Sequence, residues 1–151
     1  MDRVEERGAS VTKYVADASV VGPLLFKDEA DALFPGLLDS FVAGECLVPG
    51  HWRLEIANQM LVGMRRKRAT PQEADTLTAM FGQLPIAVDA ETSERALGAT
   101  YRLAVSHNLT IYDAAYLELA LRRRLPLLSF DRDLLKAAAA ENVPLFDTGA
   151  P

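Results

Sequence analysis

The sequence predicts an α/β fold with a mainly parallel sheet covered by helices, and three observations support this. Short apolar runs at 12–16, 45–50, 85–89, 125–131 and 143–147 alternate with longer stretches whose apolar residues recur at helical spacing. The 151 residues are 50% hydrophobic and 25% charged, an ordinary globular composition and enough chain to bury one core. No internal repeat, low-complexity tract or linker divides the chain, so one α/β domain accounts for all of it.

The elements follow in order. TKYVA (12–16) reads as the first strand. The stretch 19–43 supplies two helical pieces, punctuated by Pro23 and by Pro35-Gly36. ECLVPG (45–50) is a second short strand, and HWRLEIANQMLVGMRRKR (51–68) a long helix. Its expected core stripe is Leu54, Ala57, Leu61 and Met64. Pro71 suits the first position of a helix over 71–84. PIAVD (85–89) fits a third strand, and 92–108 a helix ending at His107-Asn108. The segment 110–124 is a further helix, with Arg122, Arg123 and Arg124 at its negative end. LPLLSFD (125–131) is strand then turn, 132–141 a helix, and VPLFD (143–147) a last strand. The domain is expected over 12–147, with flexible tails at 1–11 and 148–151.

Composition limits the function classes. The formal net charge of −5 argues against holding nucleic acid by bulk charge, because phosphate binding draws on Lys and Arg. A local basic patch or a metal-bridged phosphate stays open. The single cysteine, Cys46, allows no intrachain disulfide and no cysteine-based zinc cluster. No apolar run reaches the roughly 18 residues of a membrane span, and MDRVEERGAS lacks the apolar core of a secretory signal. A cytoplasmic protein without membrane contact is expected.

Four acids stand out by location. Asp17 and Asp131 follow strands, while Glu55 and Asp113 lie in the opening turns of helices. In open parallel sheets, sites form beyond the carboxyl ends of the strands. Each acid also has a plain structural reading. Asp17 and Asp131 suit helix N-caps, and Thr110 with Asp113 has capping-box spacing. Glu55 has no Lys or Arg at i±3 or i±4 to pair with, and a solvated surface glutamate is its plain reading. Taken together, four carboxylates on one edge repel each other, and a divalent cation resolves that repulsion. Oxygen-only ligands suit Mg²⁺ or Mn²⁺ rather than zinc.

These residues carry a resemblance. VADASVV, VPGHWRLEIANQML, LTIYDAAYLELAL and PLLSFDRDL, in that order, resemble the four motifs of PIN-domain ribonucleases, most closely the VapC-type toxins of type II toxin–antitoxin pairs. The resemblance covers roughly 12–147. It implies a PIN-like three-layer α/β/α fold with four to five strands, and a Mg²⁺- or Mn²⁺-dependent endoribonuclease leaving 5′-phosphate and 3′-hydroxyl ends. It also implies Asp17, Glu55, Asp113 and Asp131 as catalytic metal ligands, with Ser19 and Ser129 supporting them through hydrogen bonds. Asp133 lies two residues beyond Asp131, but the family pattern places the acid after Ser129 and so points to Asp131. A cognate VapB-type antitoxin, an RNA substrate and a homodimer come from the resemblance alone. The rival reading is a non-catalytic PIN-like module that binds RNA or protein. A haloacid-dehalogenase-type phosphatase needs Asp-x-Asp after the first strand, where this chain has Asp17-Ala18-Ser19.

The remaining polar features are weighed singly. Arg65, Arg66 and Arg68 are candidates for steering an RNA backbone, with a solvated helix end as the equal alternative. Arg122 to Arg124 read as solvated charge at a helix C-terminus. His107 reads as a helix-end residue, and so does His51, with a place beside the site as its alternative because it begins the Glu55 helix; Trp52 and Tyr116 read as core residues rather than base-stacking ones.

Overall fold

The computed structural model describes residues 12–149. The expected tail at 1–11, and the last two residues of the one at 148–151, lie outside the described residues. Four strands, β1 (Tyr14–Ala16), β2 (Cys46–Val48), β3 (Ala87–Val88) and β4 (Leu127–Leu128), form a parallel sheet in the order β3-β2-β1-β4. Val15 lies opposite Leu47 on one side and Leu127 on the other. All three residues of β1 are buried, because helices cover both faces of the sheet. The run expected as a fifth strand at 143–147 makes only a single bridge, Leu127 with Leu145.

Eight α-helices complete the three-layer α/β/α arrangement among the described residues. They are α1 (Gly22–Leu25), α2 (Leu37–Val42), α3 (Trp52–Arg65), α4 (Pro71–Gln83), α5 (Thr92–Arg95), α6 (Tyr101–His107), α7 (Ile111–Arg123) and α8 (Arg132–Ala140). The two helical pieces expected over 19–43 are more broken than that. Helices α1 and α2 alternate with 3₁₀ turns at Ala18–Val21 and Lys27–Ala32. The single helix expected over 92–108 is interrupted by a π turn at Ala96–Thr100, where Gly98 leaves helical geometry. Helix α4 begins at Pro71, as its sequence predicts, and the structure adds a reciprocal capping box between Thr70 and Glu73.

The core stripe of α3 is a correction. Trp52, Ile56, Met60 and Gly63 are buried, whereas Leu54 is 73% exposed and Ala57 and Leu61 face outward. Both stripes satisfy the helical period, so periodicity alone does not choose between them. Packing does. The face turned inward carries Trp52, the largest apolar surface on the helix, whose ring meets Phe41 and Phe81. It also carries Gly63, where a Cβ would fall 2.2 Å from the Phe26 ring.

A second correction concerns Arg122, read as solvated charge. Its guanidinium is enclosed by Asp89, Glu91 and Glu118, with contacts of 2.8 Å to each. Asp89 and Glu118 are themselves buried. The cation at the end of α7 thus ties that helix to the segment following β3.

This topology fixes where a site can form. The chain builds outward from β1 through β2 to β3, then crosses to place β4 on the opposite side of β1. The direction of winding reverses between β1 and β4, and the crevice at their carboxyl ends is the switch point.

Candidate functional site

Asp17 lies at that switch point, and it is 2% exposed. Its side chain does not cap the 3₁₀ turn that follows, so the N-cap explanation fails for this residue. Two serine hydroxyls bind it instead: Ser19 donates to Oδ2 at 2.6 Å and Ser129 donates to the same oxygen at 2.8 Å. Each hydroxyl also accepts a backbone N–H, Ser19 from Phe130 and Ser129 from Asp131, both at 3.0 Å. Those N–H groups occupy the serine lone pairs and turn the hydroxyl hydrogens toward Asp17. The end of β1 and the loop after β4 are thereby laced together around one carboxylate.

Glu55 and Asp113 act on it electrostatically, and Asp131 acts on Asp113. Glu55, in the first turn of α3, accepts at Oε1 from the Tyr116 hydroxyl at 2.9 Å and meets His51 Nε2 at 2.9 Å. Asp113 lies in the first turn of α7, where its N–H is capped by Thr110 Oγ1. The Thr110 hydroxyl also steadies the charged carboxylate of Asp113, which does not return a bond to the cap backbone as Glu73 does. Asp131 does cap a helix, its Oδ1 accepting the Leu134 N–H at 2.8 Å, and it also faces Asp113. Asp133 is exposed and lines a separate cavity with His107, Asn108 and Lys136. Of the two acids after β4, it is Asp131 that adjoins the cluster.

The electrostatics agree with the placement. Burial pushes the Asp17 carboxyl up to about 6, and the fields of Asp113 and Glu55 add to the rise while the two serines oppose it. Burial likewise raises Asp113, with Asp131 and Glu55 contributing. Among the described residues, His51 beside Glu55 is the only basic side chain within 4.0 Å of any of the four carboxylates. The donors are hard oxygens, the set that suits Mg²⁺ or Mn²⁺. Among the described residues no three Asp, Glu, His or Cys side chains are already drawn close enough to hold a metal ion. The acids share one edge without closing on a point.

A family model for the PIN domain matches residues 14–140. The chain belongs to the PIN-domain family. Solved structures share the fold of this PIN domain. The crystal structure of PAE2754 from Pyrobaculum aerophilum matches with a TM-score of 0.57 at 24% identity, over 86% of this chain and 87% of that one. The crystal structure of FitAcB from Neisseria gonorrhoeae matches with a TM-score of 0.57 at 14% identity, over 91% of this chain and 99% of that one. No curated protein sequence matches the chain.

The basic candidates lie apart from the acids of this PIN domain. Arg65 and Arg66 are exposed at the far end of α3, about 15 Å along the helix axis from Glu55. Arg68 is engaged elsewhere. It forms a two-pronged pair with Asp28, bonds Glu29 at 2.7 Å and lies 4.1 Å over the Phe26 ring. Its charge is therefore spent locally. Trp52 and Tyr116 are buried, as their core reading requires. The sequence reading weighed His51 as near the site but preferred a helix-end role, and it missed the contact of Tyr116 with Glu55. A signal was present: His51 stands four residues before Glu55, and Tyr116 three after Asp113 on the same helix face.

Proposed function

We propose that this PIN domain is a divalent-cation-dependent endoribonuclease and the toxin of a VapBC-type toxin–antitoxin pair. The observation that carries the reading is the Asp17 carboxylate, buried at the sheet's switch point and facing two further acids without a cationic partner of its own. Such a carboxylate is costly to keep in a merely structural role. Bound Mg²⁺ or Mn²⁺ would supply Lewis acidity toward the phosphate and a lowered pKa for water. Asp17, Glu55 and Asp113 would hold the cation, and Asp131 would hold it or orient the attacking water. Ser19 and Ser129 keep Oδ2 of Asp17 fixed, which leaves its other oxygen for the cation.

The partners follow from the family reading and have supporting features. Leu97, Tyr101 and Val105 are exposed at four-residue spacing, a face suited to a second copy of the chain. A groove of about 460 Å³ lined by Leu24, Leu25, Phe26 and Leu77 suits an amphipathic segment of an antitoxin.

The test is incubation of the purified protein with a mixed RNA pool in Mg²⁺, Mn²⁺ or EDTA, beside Asp17→Asn. Cleavage is expected only with the cation and the intact aspartate. Cleavage that persists in EDTA, or in folded Asp17→Asn, would refute the mechanism. Absence of both cleavage and cation binding would favour the non-catalytic module.

A further inference from the structure

We propose that Tyr116 and His51 are positioning residues for Glu55: together they hold its Oε1 and so commit Oε2 as the oxygen offered to a divalent cation. This inference rests on the functional reading above. The Tyr116 side chain is fully buried in α7, and its hydroxyl donates to Oε1 at 2.9 Å. His51 Nε2 reaches the same oxygen at 2.9 Å and the Tyr112 carbonyl at 3.2 Å. The Tyr112 carbonyl only accepts, so Nε2 carries the hydrogen and donates it there, while Glu55 Oε1 lies against the same nitrogen as a close polar contact. The imidazole is held for this by the edges of Tyr112 and Tyr116, with ring centroids 5.6 and 5.3 Å away.

A buried tyrosine needs one acceptor for its hydroxyl, and the fold supplies carbonyls in plenty. A carboxylate side chain that is 31% exposed has no need of a buried tyrosine donor and an imidazole nitrogen on one oxygen, since water would serve. The Tyr116 hydrogen bond from the middle of α7 and the His51 contact from the turn before α3 together fix the orientation of the carboxylate. Among the described residues no protein donor bonds Oε2. The pattern repeats at Asp17, where Ser19 and Ser129 both take Oδ2. In each acid the protein's donors occupy one oxygen and leave its twin.

The test is Mn²⁺ titration of the full chain, followed by electron paramagnetic resonance of the free ion, with RNA cleavage measured in parallel. Tyr116→Phe and His51→Ala are each expected to weaken Mn²⁺ binding by about tenfold and to lower kcat with little change in KM for RNA. His51→Gln, whose amide can donate to Oε1, is expected to recover most of the His51→Ala loss. If Tyr116→Phe does not fold, the His51 pair decides alone. Mn²⁺ affinities within about twofold of the parent for Tyr116→Phe and His51→Ala, alongside loss of binding in Asp17→Asn, would overturn the clamp and leave the nuclease reading standing. A parent protein that neither binds Mn²⁺ nor cleaves RNA would overturn both.

Discussion

Asp17 is held ionised at neutral pH against its own burial, and that has a measurable sign. Its carboxyl titrates at about 6 in the fold against an ordinary value of 3.8. Between those values the folded chain holds a proton that the unfolded chain has released. Stability of the cation-free protein therefore falls as pH rises through this window, and the penalty is complete above it. The difference corresponds to about 3 kcal/mol. Asp17→Asn should raise the cation-free melting temperature at pH 7 and flatten the slope between pH 4 and 6, as read by thermal melts across pH. Ser129→Ala should move the Asp17 titration further up, because the hydroxyl stabilises the charged form; NMR of the carboxyl carbon would detect it. The sequence placed Asp17 after the first strand and left N-capping open. Capping is set aside by the missing cap bond and by Ser129, 112 positions away in the chain, which takes the carboxylate instead.

At the scale of elements, α3 and α7 carry Glu55 and Asp113 from separate parts of the sequence. Helix α3 depends on Gly63, where the Phe26 ring fills the space of a Cβ and is covered by the Arg68 guanidinium. Gly63→Ala should force the ring out and destabilise the fold by about 1–3 kcal/mol, measured as a shift in denaturant midpoint. Helix α7 is buried from Ala114 to Ala120 and fastened at its end by Arg122. Arg122→Ala would leave Asp89 and Glu118 buried without their cation, at a cost of about 3–5 kcal/mol by the same measurement. The helices α3, α4, α7 and α8, the Asp131 cap and the Pro71 start were legible because they are local. The buried face of α3 and the role of Arg122 were not. Two apolar stripes of equal period, or a terminal arginine, are settled only by what the rest of the chain brings against them.

For the whole molecule, alternation of apolar runs with helical segments was enough to give a parallel α/β sheet. The strand order was beyond that pattern, and so was the switch point that gathers the acids. The four motifs in sequence supplied what periodicity lacked, because their order implied a shared edge. The exposed face of Leu97, Tyr101 and Val105 bears on assembly. For the proposed homodimer, Tyr101→Glu should give a monomer in light scattering, with the melting temperature little changed. The central claim is that the carboxylates beyond β1 and β4 take a divalent cation. Anomalous diffraction from crystals soaked in Mn²⁺ tests it most directly. The account predicts a manganese peak among Asp17, Glu55 and Asp113. A saturating soak that places manganese only elsewhere on the molecule, or nowhere, would contradict it.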